Sequence, residues 1–319
     1  MLKSVIISTG SYLPKKIVTN DDLSKIVETS DEWISSRTGI KQRHISEEKE
    51  TTSYMAAEAA KKAISKSGLT SRDIDLIIVA TTTPDSTFPA TACKVQDAIG
   101  AKNAAAFDLQ AVCSGFLYGL SVADSMIKGG SFKNILIIGA DKMSSVIDWK
   151  DRSTCVLFGD GAGAFIISST DKDSSESGII SSRIQADGSL GKILCTSGGT
   201  GTTQTAGHIQ MEGREVFKHA VQKMTSSMED LLKTHNLTHA DIDWIVPHQA
   251  NIRIIELIAK KMNLPQDKII AAIDKHANTS AASIPLAIDT AEAKFKKGDK
   301  ILLTAAGGGF TWGSVLLVW

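Results

Sequence analysis

The segment that decides the fold is FDLQAVCSGFLYGL, residues 107–120. Its apolar start predicts a buried strand, and a sharp turn then leads into a helix that opens at Cys113 and runs to Ile127. Asp124 is the only charge in that helix, which should therefore lie inside the protein. Free N–H groups and the positive end of the helix dipole converge at Cys113, so we expect a lowered thiol pKa and a nucleophilic thiolate. The alternative is that Cys113 is a small buried hydrophobe.

Composition narrows the class of protein. The chain has 319 residues, long enough for a large core in two halves. Its 35 Lys plus Arg balance 35 Asp plus Glu, and aromatic residues are 5%, so we expect no nucleic-acid partner. The sequence has no transmembrane-length apolar run and begins with a strand pattern, so no membrane insertion is expected. Four scattered Cys without zinc-binding spacing predict reduced thiols, a cytoplasmic location and no metal.

The second half of the chain resembles the first. Residues 69–77 align with residues 237–245 at an offset of 168, and six of the nine pairs are identical. With nearly the same offset, residues 113–115 fall opposite residues 278–280, each trio opening a largely apolar helix. A repeat of this length predicts a duplicated α/β unit rather than a solenoid.

Strands and helices are predicted to alternate along both halves. A polar seam at residues 168–178 predicts a boundary between an N-terminal half, residues 1–170, and a C-terminal half, residues 171–319. Near the N-terminus, Asn20 is expected to cap a helix that runs to about Val27.

Polar residues recur at the turns of this duplicated unit. His248 follows a predicted strand, Asn278 stands at a predicted helix start, and three glycines occupy residues 307–309. Each has a plainer interpretation: a satisfied polar histidine, a helix cap and a tight turn. Together with Cys113 they indicate a nucleophilic thiol, two polar partners and close-approaching backbone N–H donors.

The combination Cys-His-Asn also occurs in papain-like proteases. Their signature, Cys-Gly-Ser/Ala-Cys-aromatic near the mature N-terminus, is absent, and Val112 interrupts the caspase pattern Gln-Ala-Cys. A cysteine hydrolase therefore remains a weak alternative.

The whole chain resembles the β-ketoacyl-acyl-carrier-protein synthase III enzymes of the thiolase-like superfamily. The resemblance is carried, in order, by GSYLP (10–14), TSDEWI (29–34), RTGI (37–40), FGDGAG (158–163), VPHQAN (246–251), NTSAAS (278–283) and GGGFTWG (307–313). It implies a thiolase-like α/β fold whose duplicated halves form five α/β/α/β/α layers.

The resemblance also implies the initiating condensation of type II fatty-acid synthesis. An acyl group, usually acetyl, would move from acyl-coenzyme A (acyl-CoA) to Cys113, and malonyl-acyl carrier protein (malonyl-ACP) would then decarboxylate and condense with it. His248 and Asn278 would stabilise the enolate, and the backbone N–H groups of Cys113 and Gly308 would form the oxyanion hole. Acyl-CoA would be a substrate, and no metal or redox cofactor is implied.

Binding roles are implied in the same way. Trp33 and Arg152 would sandwich the adenine of CoA, Arg37 would meet its phosphates, and Asn251 would bind the pantetheine. Phe88 would cross a homodimer interface into the neighbour's acyl pocket. A basic patch for the carrier protein would comprise Lys218, Arg253, Lys260 and Lys261.

Two other functions remain open at this point. One is a related acyltransferase of secondary metabolism, or hydroxymethylglutaryl-CoA synthase, although the latter needs a Glu near the Cys and no Glu lies between Glu58 and Glu176. The other is a non-catalytic module that binds acyl groups or the carrier protein. An intact Cys113, His248 and Asn278 argue against the module.

Overall fold

The computed structural model describes residues 2–171 and 175–319. Residues 172–174 of the predicted seam lie outside this range. The described strands form two main sheets and two small strand pairs. The first sheet has the order β1 (Leu2–Tyr12), β7 (Asp160–Asp171), β6 (Asn134–Lys142), β4 (Leu76–Ala80), β5 (Ala105–Leu109). The second has the order β11 (Trp244–Pro247), β12 (Lys300–Gly307), β13 (Thr311–Val318), β8 (Gly178–Ala186). The small pairs are β2 (Ile17–Thr19) with β3 (Gln42–His44), and β9 (Leu194–Thr196) with β10 (Ile209–Met211).

Helices cover both sheets and fill the space between them. Their bounds are α1 (Asn20–Leu23), α2 (Asp31–Thr38), α3 (Thr52–Ser67), α4 (Thr91–Ile99), α5 (Gly115–Lys128), α6 (Arg152–Cys155), α7 (Gly213–Thr234), α8 (Ile252–Lys261), α9 (Ile273–His276), α10 (Ser283–Ala291). Helices α3 and α4 pack on the first sheet, α7 packs on the second sheet with α8 beside it, and α5 and α10 contact strands of both sheets. The predicted five α/β/α/β/α layers are confirmed. All strands of the first sheet lie within residues 2–171 and all strands of the second within residues 178–318, while the boundary at residue 170 stays a prediction.

Helix α5 is central because its sequence is small and apolar. Leu117, Leu120 and Ile127 are fully buried, and each buried side chain of this size contributes about 1.5–3 kcal/mol. Its two charged residues pair with each other, since the Asp124 carboxylate lies 2.7 Å from the amine of Lys128 one turn later. On β6, Gly139 permits close approach of the second half, because a Cβ there would lie 2.2 Å from the carbonyl oxygen of Ala281.

The duplicated turns before α5 and α10 correct the predicted alignment. A 3-10 turn precedes each helix, Val112–Ser114 and Ser280–Ala282. Each turn begins with a residue of positive φ, 48° at Val112 and 50° at Ser280. Cys113 therefore corresponds to Ala281 at an offset of 168 (281 less 113). The predicted pairing with residues 278–280 was wrong by three positions, because Asn278 lies before the repeated turn.

Three further predictions on local structure were wrong. Helix α5 begins at Gly115, two residues after Cys113. Strand β5 ends the first sheet, so its residues are exposed or half-buried instead of buried. The cap of α1 is Thr19, whose side chain and that of Asp22 form a capping box, and the helix ends at Leu23.

Candidate active site

The candidate residues meet in a cavity of about 530 Å³ between the two halves. The cavity is lined by Cys113 before α5, His248 after β11, Asn251 at the start of α8, Asn278 before α10 and Gly308 after β12. Most of the remaining lining is apolar, including Met143, Phe158, Ile209, Met211, Phe217 and Met224. A largely apolar cavity with a few convergent polar groups is typical of a binding or catalytic site.

Cys113 lines this cavity and is buried, 5% exposed. Gly307 packs against it, since a Cβ on Gly307 would lie 2.7 Å from the Cys113 backbone nitrogen. Burial raises the pKa of the thiol to about 12, so the predicted lowering of that pKa was wrong. Desolvation of an ionised group costs several kcal/mol, whereas a helix N-terminus returns at most about 2 kcal/mol. The resting residue is therefore the neutral thiol.

His248 is held rigidly and is neutral. It is 3% exposed, and its backbone N–H donates to the carbonyl of Thr304 at 2.8 Å. Its Nδ1 lies 2.8 Å from the hydroxyl of Ser283, the first residue of α10. Burial lowers the pKa of the imidazole to about 3, so the ring carries no charge at neutral pH.

Asn278 lines the cavity, and the oxygen of its side-chain amide is engaged within the protein. Its Oδ1 accepts a hydrogen bond from the backbone N–H of Ser280 at 2.9 Å, which leaves the amide NH₂ as the group that can donate to a ligand. Its backbone N–H donates to Leu157, and its carbonyl accepts from Gly159 within the FGDGAG segment. Ala282 occupies the cap position of α10, so Asn278 is not the cap of that helix.

Trp33, Arg37 and Arg152 form a separate cluster. The guanidinium carbons of Arg37 and Arg152 lie 4.7 and 4.8 Å from the Trp33 ring centroid. An adenine between Trp33 and Arg152 needs about 7 Å, two stacking distances, so the Arg152 guanidinium must withdraw before a ring can enter. Asn251 lies apart from this cluster, on the cavity wall, where its Oδ1 accepts the Arg253 backbone N–H at 2.9 Å.

The remaining predicted residues lie away from the cavity lining. Phe88 is 84% exposed. Lys218 on α7 is exposed and lies 3.7 Å from Glu215. Arg253 donates to the carbonyl of Ser36 at 3.0 Å and so ties α8 to α2, while Lys260 and Lys261 are exposed in the last turn of α8.

Sequence reasoning missed two polar residues that organise the site. Ser283, the last residue of the NTSAAS motif, contacts His248. Asp141, fully buried at the end of β6, accepts hydrogen bonds from Thr81, Thr82 and Thr83 in the first half and from the Ala281 N–H in the second. A charge directly after a strongly apolar strand was the available signal, because a buried carboxylate needs several donors.

Residues 2–171 and 175–319 contain no group of three or more His, Cys, Asp or Glu side chains placed to hold a metal ion. None of their helices combines the length and the apolar character needed to cross a membrane.

The five layers and the cavity at the paired helix starts define a protein of the thiolase-like fold class. Residues 107–188 match the family described as 3-oxoacyl-[acyl-carrier-protein (ACP)] synthase III, and residues 232–319 match its C-terminal part. The chain is 58% identical to the β-ketoacyl-[acyl-carrier-protein] synthase III of Wolbachia pipientis wMel and 56% identical to that of Ehrlichia canis (strain Jake), with 99% of each chain covered in both comparisons. The crystal structure of 3-oxoacyl-[acyl-carrier-protein] synthase III from Aquifex aeolicus VF5 superimposes with a TM-score of 0.94 at 50% identity, covering 99% of this chain and 100% of the other.

The chain belongs to the 3-oxoacyl-[acyl-carrier-protein] synthase III family. It is a condensing acyltransferase, the enzyme type that initiates fatty-acid synthesis.

Proposed function

We propose that Cys113 accepts an acyl group, acetyl in the first instance, from acyl-CoA. The Cys113 sulfur attacks the thioester carbonyl, the bond from carbon to the CoA sulfur breaks, and the thiol proton leaves with CoA as its free thiol. Backbone N–H groups of Cys113 and Gly308 stabilise the tetrahedral oxyanion. The observation that carries this proposal is the convergence of Cys113, His248, Asn278 and Gly308 on one buried cavity.

The second substrate is malonyl-ACP. Loss of CO₂ leaves the electron pair on the malonyl thioester as an enolate, whose oxygen accepts hydrogen bonds from His248 Nε2 and Asn278 Nδ2. The enolate carbon then attacks the acyl-enzyme, and the Cys113 sulfur leaves and takes up a proton from water. The products are 3-oxoacyl-ACP, CoA and CO₂. The acyl thioester is the electrophile and loss of CO₂ generates the nucleophile, so the reaction calls for no metal or redox cofactor.

Recognition of the two substrates is assigned to different surfaces. Trp33 and Arg152 take the adenine once the Arg152 guanidinium has withdrawn, Arg37 takes the phosphates, and Asn251 offers its amide NH₂ to the pantetheine. The acidic carrier protein meets the basic residues on α7 and α8, namely Lys218, Arg253, Lys260 and Lys261. Support comes from the position of Trp33 beside two cations and from the exposure of both lysines at the end of α8.

We further propose a cytoplasmic homodimer in which residues 1–170 and 171–319 are the two halves of each subunit. Phe88 is 84% exposed, and β5 leaves one edge of the first sheet open, which together favour a second copy at this face. The four cysteines are free thiols, as expected for a reducing compartment.

Intact-mass analysis tests the central assignment. The protein is mixed with acetyl-CoA, weighed, and then given malonyl-ACP. We expect one acetyl adduct that disappears as 3-oxoacyl-ACP forms, and no adduct on Cys113→Ala. The same adduct on Cys113→Ala, or none on the wild type with any short acyl-CoA, would remove Cys113 as the nucleophile. Cys93→Ala, which changes an exposed thiol, is the matched control.

A further inference from the structure

The hydroxyl of Ser283 has a defined set of contacts. Ser283 is 2% exposed and begins α10, within hydrogen-bond distance of the His248 ring. Among residues 2–171 and 175–319, its oxygen contacts two polar atoms: the backbone nitrogen of Gln249 at 2.8 Å and Nδ1 of His248 at 2.8 Å. Gln249 is itself fixed, since its side-chain amide donates to the carbonyls of Pro247 and Ile270 and accepts from the Ala272 N–H.

The number of available hydrogens determines which atom donates in the contact between the Ser283 hydroxyl and Nδ1 of His248. The Gln249 backbone N–H can only donate, so it occupies one lone pair of the Ser283 oxygen. If Nδ1 of His248 also donated, the hydroxyl hydrogen would be buried without an acceptor, which is an unfavourable arrangement. If Nδ1 accepts, the hydroxyl donates to it and every polar atom of the group is satisfied. Only the second arrangement satisfies all three partners.

We propose that Ser283 is a positioning residue that holds His248 in the tautomer with its proton on Nε2. This proposal rests on the proposed function of the site and deepens it. The proton on Nε2 is the one that a thioester or enolate oxygen in the cavity would accept. Because the buried ring is neutral, one of its two nitrogens carries no proton, and the hydrogen bond from Ser283 determines that this nitrogen is Nδ1.

In this tautomer His248 cannot act as a general base. A ring whose Nδ1 accepts from Ser283 and whose Nε2 carries hydrogen has no free lone pair for the Cys113 proton. His248 then acts only as a hydrogen-bond donor, and the thiol proton passes to the departing CoA sulfur. Ser283 should therefore matter for decarboxylation and not for acylation of Cys113.

Nuclear magnetic resonance tests the tautomer without any reaction. The whole protein is labelled with ¹⁵N-histidine, and long-range ¹H–¹⁵N spectra are recorded at neutral pH. The chain has seven histidines, and the His248 signals are identified by their loss in His248→Gln. We expect a protonated Nε2 and a bare Nδ1 in the wild type. A protonated Nδ1 in the wild type overturns the proposal, whether or not any variant folds.

Kinetics test the role in the reaction. In Ser283→Ala we expect both His248 tautomers to appear and kcat for malonyl-ACP decarboxylation to fall about tenfold, less than the hundredfold or more for removal of a donor. KM and the extent of Cys113 acylation should stay within about twofold, and Ser283→Thr, which keeps a hydroxyl, should recover part of the rate. The matched control is Ser8→Ala, which deletes a buried hydroxyl that donates to Ala63 at 2.8 Å in the first half.

The outcomes distinguish this proposal from the function on which it rests. An unchanged tautomer and an unchanged decarboxylation rate in Ser283→Ala overturn the role of Ser283 while leaving the reaction intact. An equal loss of acylation and decarboxylation, or the same loss in Ser8→Ala, indicates general damage and also overturns it. Failure of the wild type to acylate Cys113 contradicts the proposed function, and the spectrum of His248 still reports the tautomer.

Discussion

The position of Cys113 and its burial affect the pKa of its thiol in opposite directions. Its position before α5 exposes it to the helix dipole, but its burial removes the water that would stabilise a thiolate. Because burial raises the thiol pKa to about 12, we expect iodoacetamide alkylation of the free enzyme to be slow at pH 7. The rate should rise about tenfold per pH unit up to pH 9, with no plateau. Mass analysis of the Cys113 peptide measures it, and a plateau near pH 7 would show that the dipole prevails.

Asn278 offers a second test on the residue scale. Its Oδ1 is occupied by the Ser280 N–H, so its NH₂ is the part available to an enolate oxygen. Asn278→Ala should acylate normally from acetyl-CoA, while decarboxylation of malonyl-ACP falls about a hundred- to a thousandfold because one oxyanion donor is gone. Release of ¹⁴CO₂ measures the second step. Asn103→Ala, an exposed change far from the cavity lining, serves as control. Unchanged ¹⁴CO₂ release would show that Asn278 is not the donor.

On the scale of elements, β6 and the turn before α10 are in contact through Gly139. A methyl group there would lie 2.2 Å from the carbonyl oxygen of Ala281, so backbone must move to admit it. Gly139→Ala should lower the free energy of unfolding by about 1–3 kcal/mol or more. Gly188→Ala is the matched control, because a Cβ there meets nothing within 4 Å, and its effect should stay within about 0.5 kcal/mol. Thermal denaturation compares them. Equal stability of both variants would show that the two halves can separate at this contact.

The contact between Trp33 in α2 and Arg152 in α6 allows a test of nucleotide binding. Arg152 lies 4.8 Å from the Trp33 ring centroid and also donates to the carbonyl of Glu28 at 3.0 Å. Arg152→Ala should raise KM for acetyl-CoA about tenfold and leave kcat nearly unchanged, because stacking on adenine contributes equally before and during the reaction. Arg72→Ala, also an exposed arginine, is the control. A fall in kcat at constant KM would place Arg152 elsewhere in the cycle.

The layers of the molecule could be predicted because they follow from local patterns. Apolar strands and the apolar helix after Cys113 require burial on both sides, and the repeat at residues 69–77 and 237–245 implies two such units. The repeat could not give the register of the turns, because the positive φ at Val112 and Ser280 leaves no residue-type signature. Contacts between separate segments of one half, such as Ser283 with His248 in the second half, could not be predicted either, because they depend on how those segments pack.

Stability of the whole molecule should depend on pH through its buried histidines. His276 is 6% exposed and, like His248, is buried as the neutral ring: burial, with the nearby His44 as a smaller cause, lowers the pKa of His276 to about 4. Asp274 acts in the opposite direction and Lys275 in the same direction as His44. The unfolded chain binds a proton at each of these two histidines near pH 6.5 and the folded protein does not, so their contribution to stability is full above about pH 6.5 and is lost as the pH falls towards 4.

His276→Gln should therefore flatten the acid side of the stability profile. One neutral buried histidine lowers the free energy of unfolding by about 2 kcal/mol between pH 7 and pH 5, because it binds a proton in the unfolded chain but not in the folded protein. Thermal midpoints measured at half-unit steps from pH 4 to pH 8 report the slope, which does not depend on whether the glutamine lowers stability at every pH. His208→Gln, at an exposed position, should keep the wild-type slope. If the slope of His276→Gln equals that of the wild type, His276 takes up its proton in the folded protein as readily as in the unfolded chain.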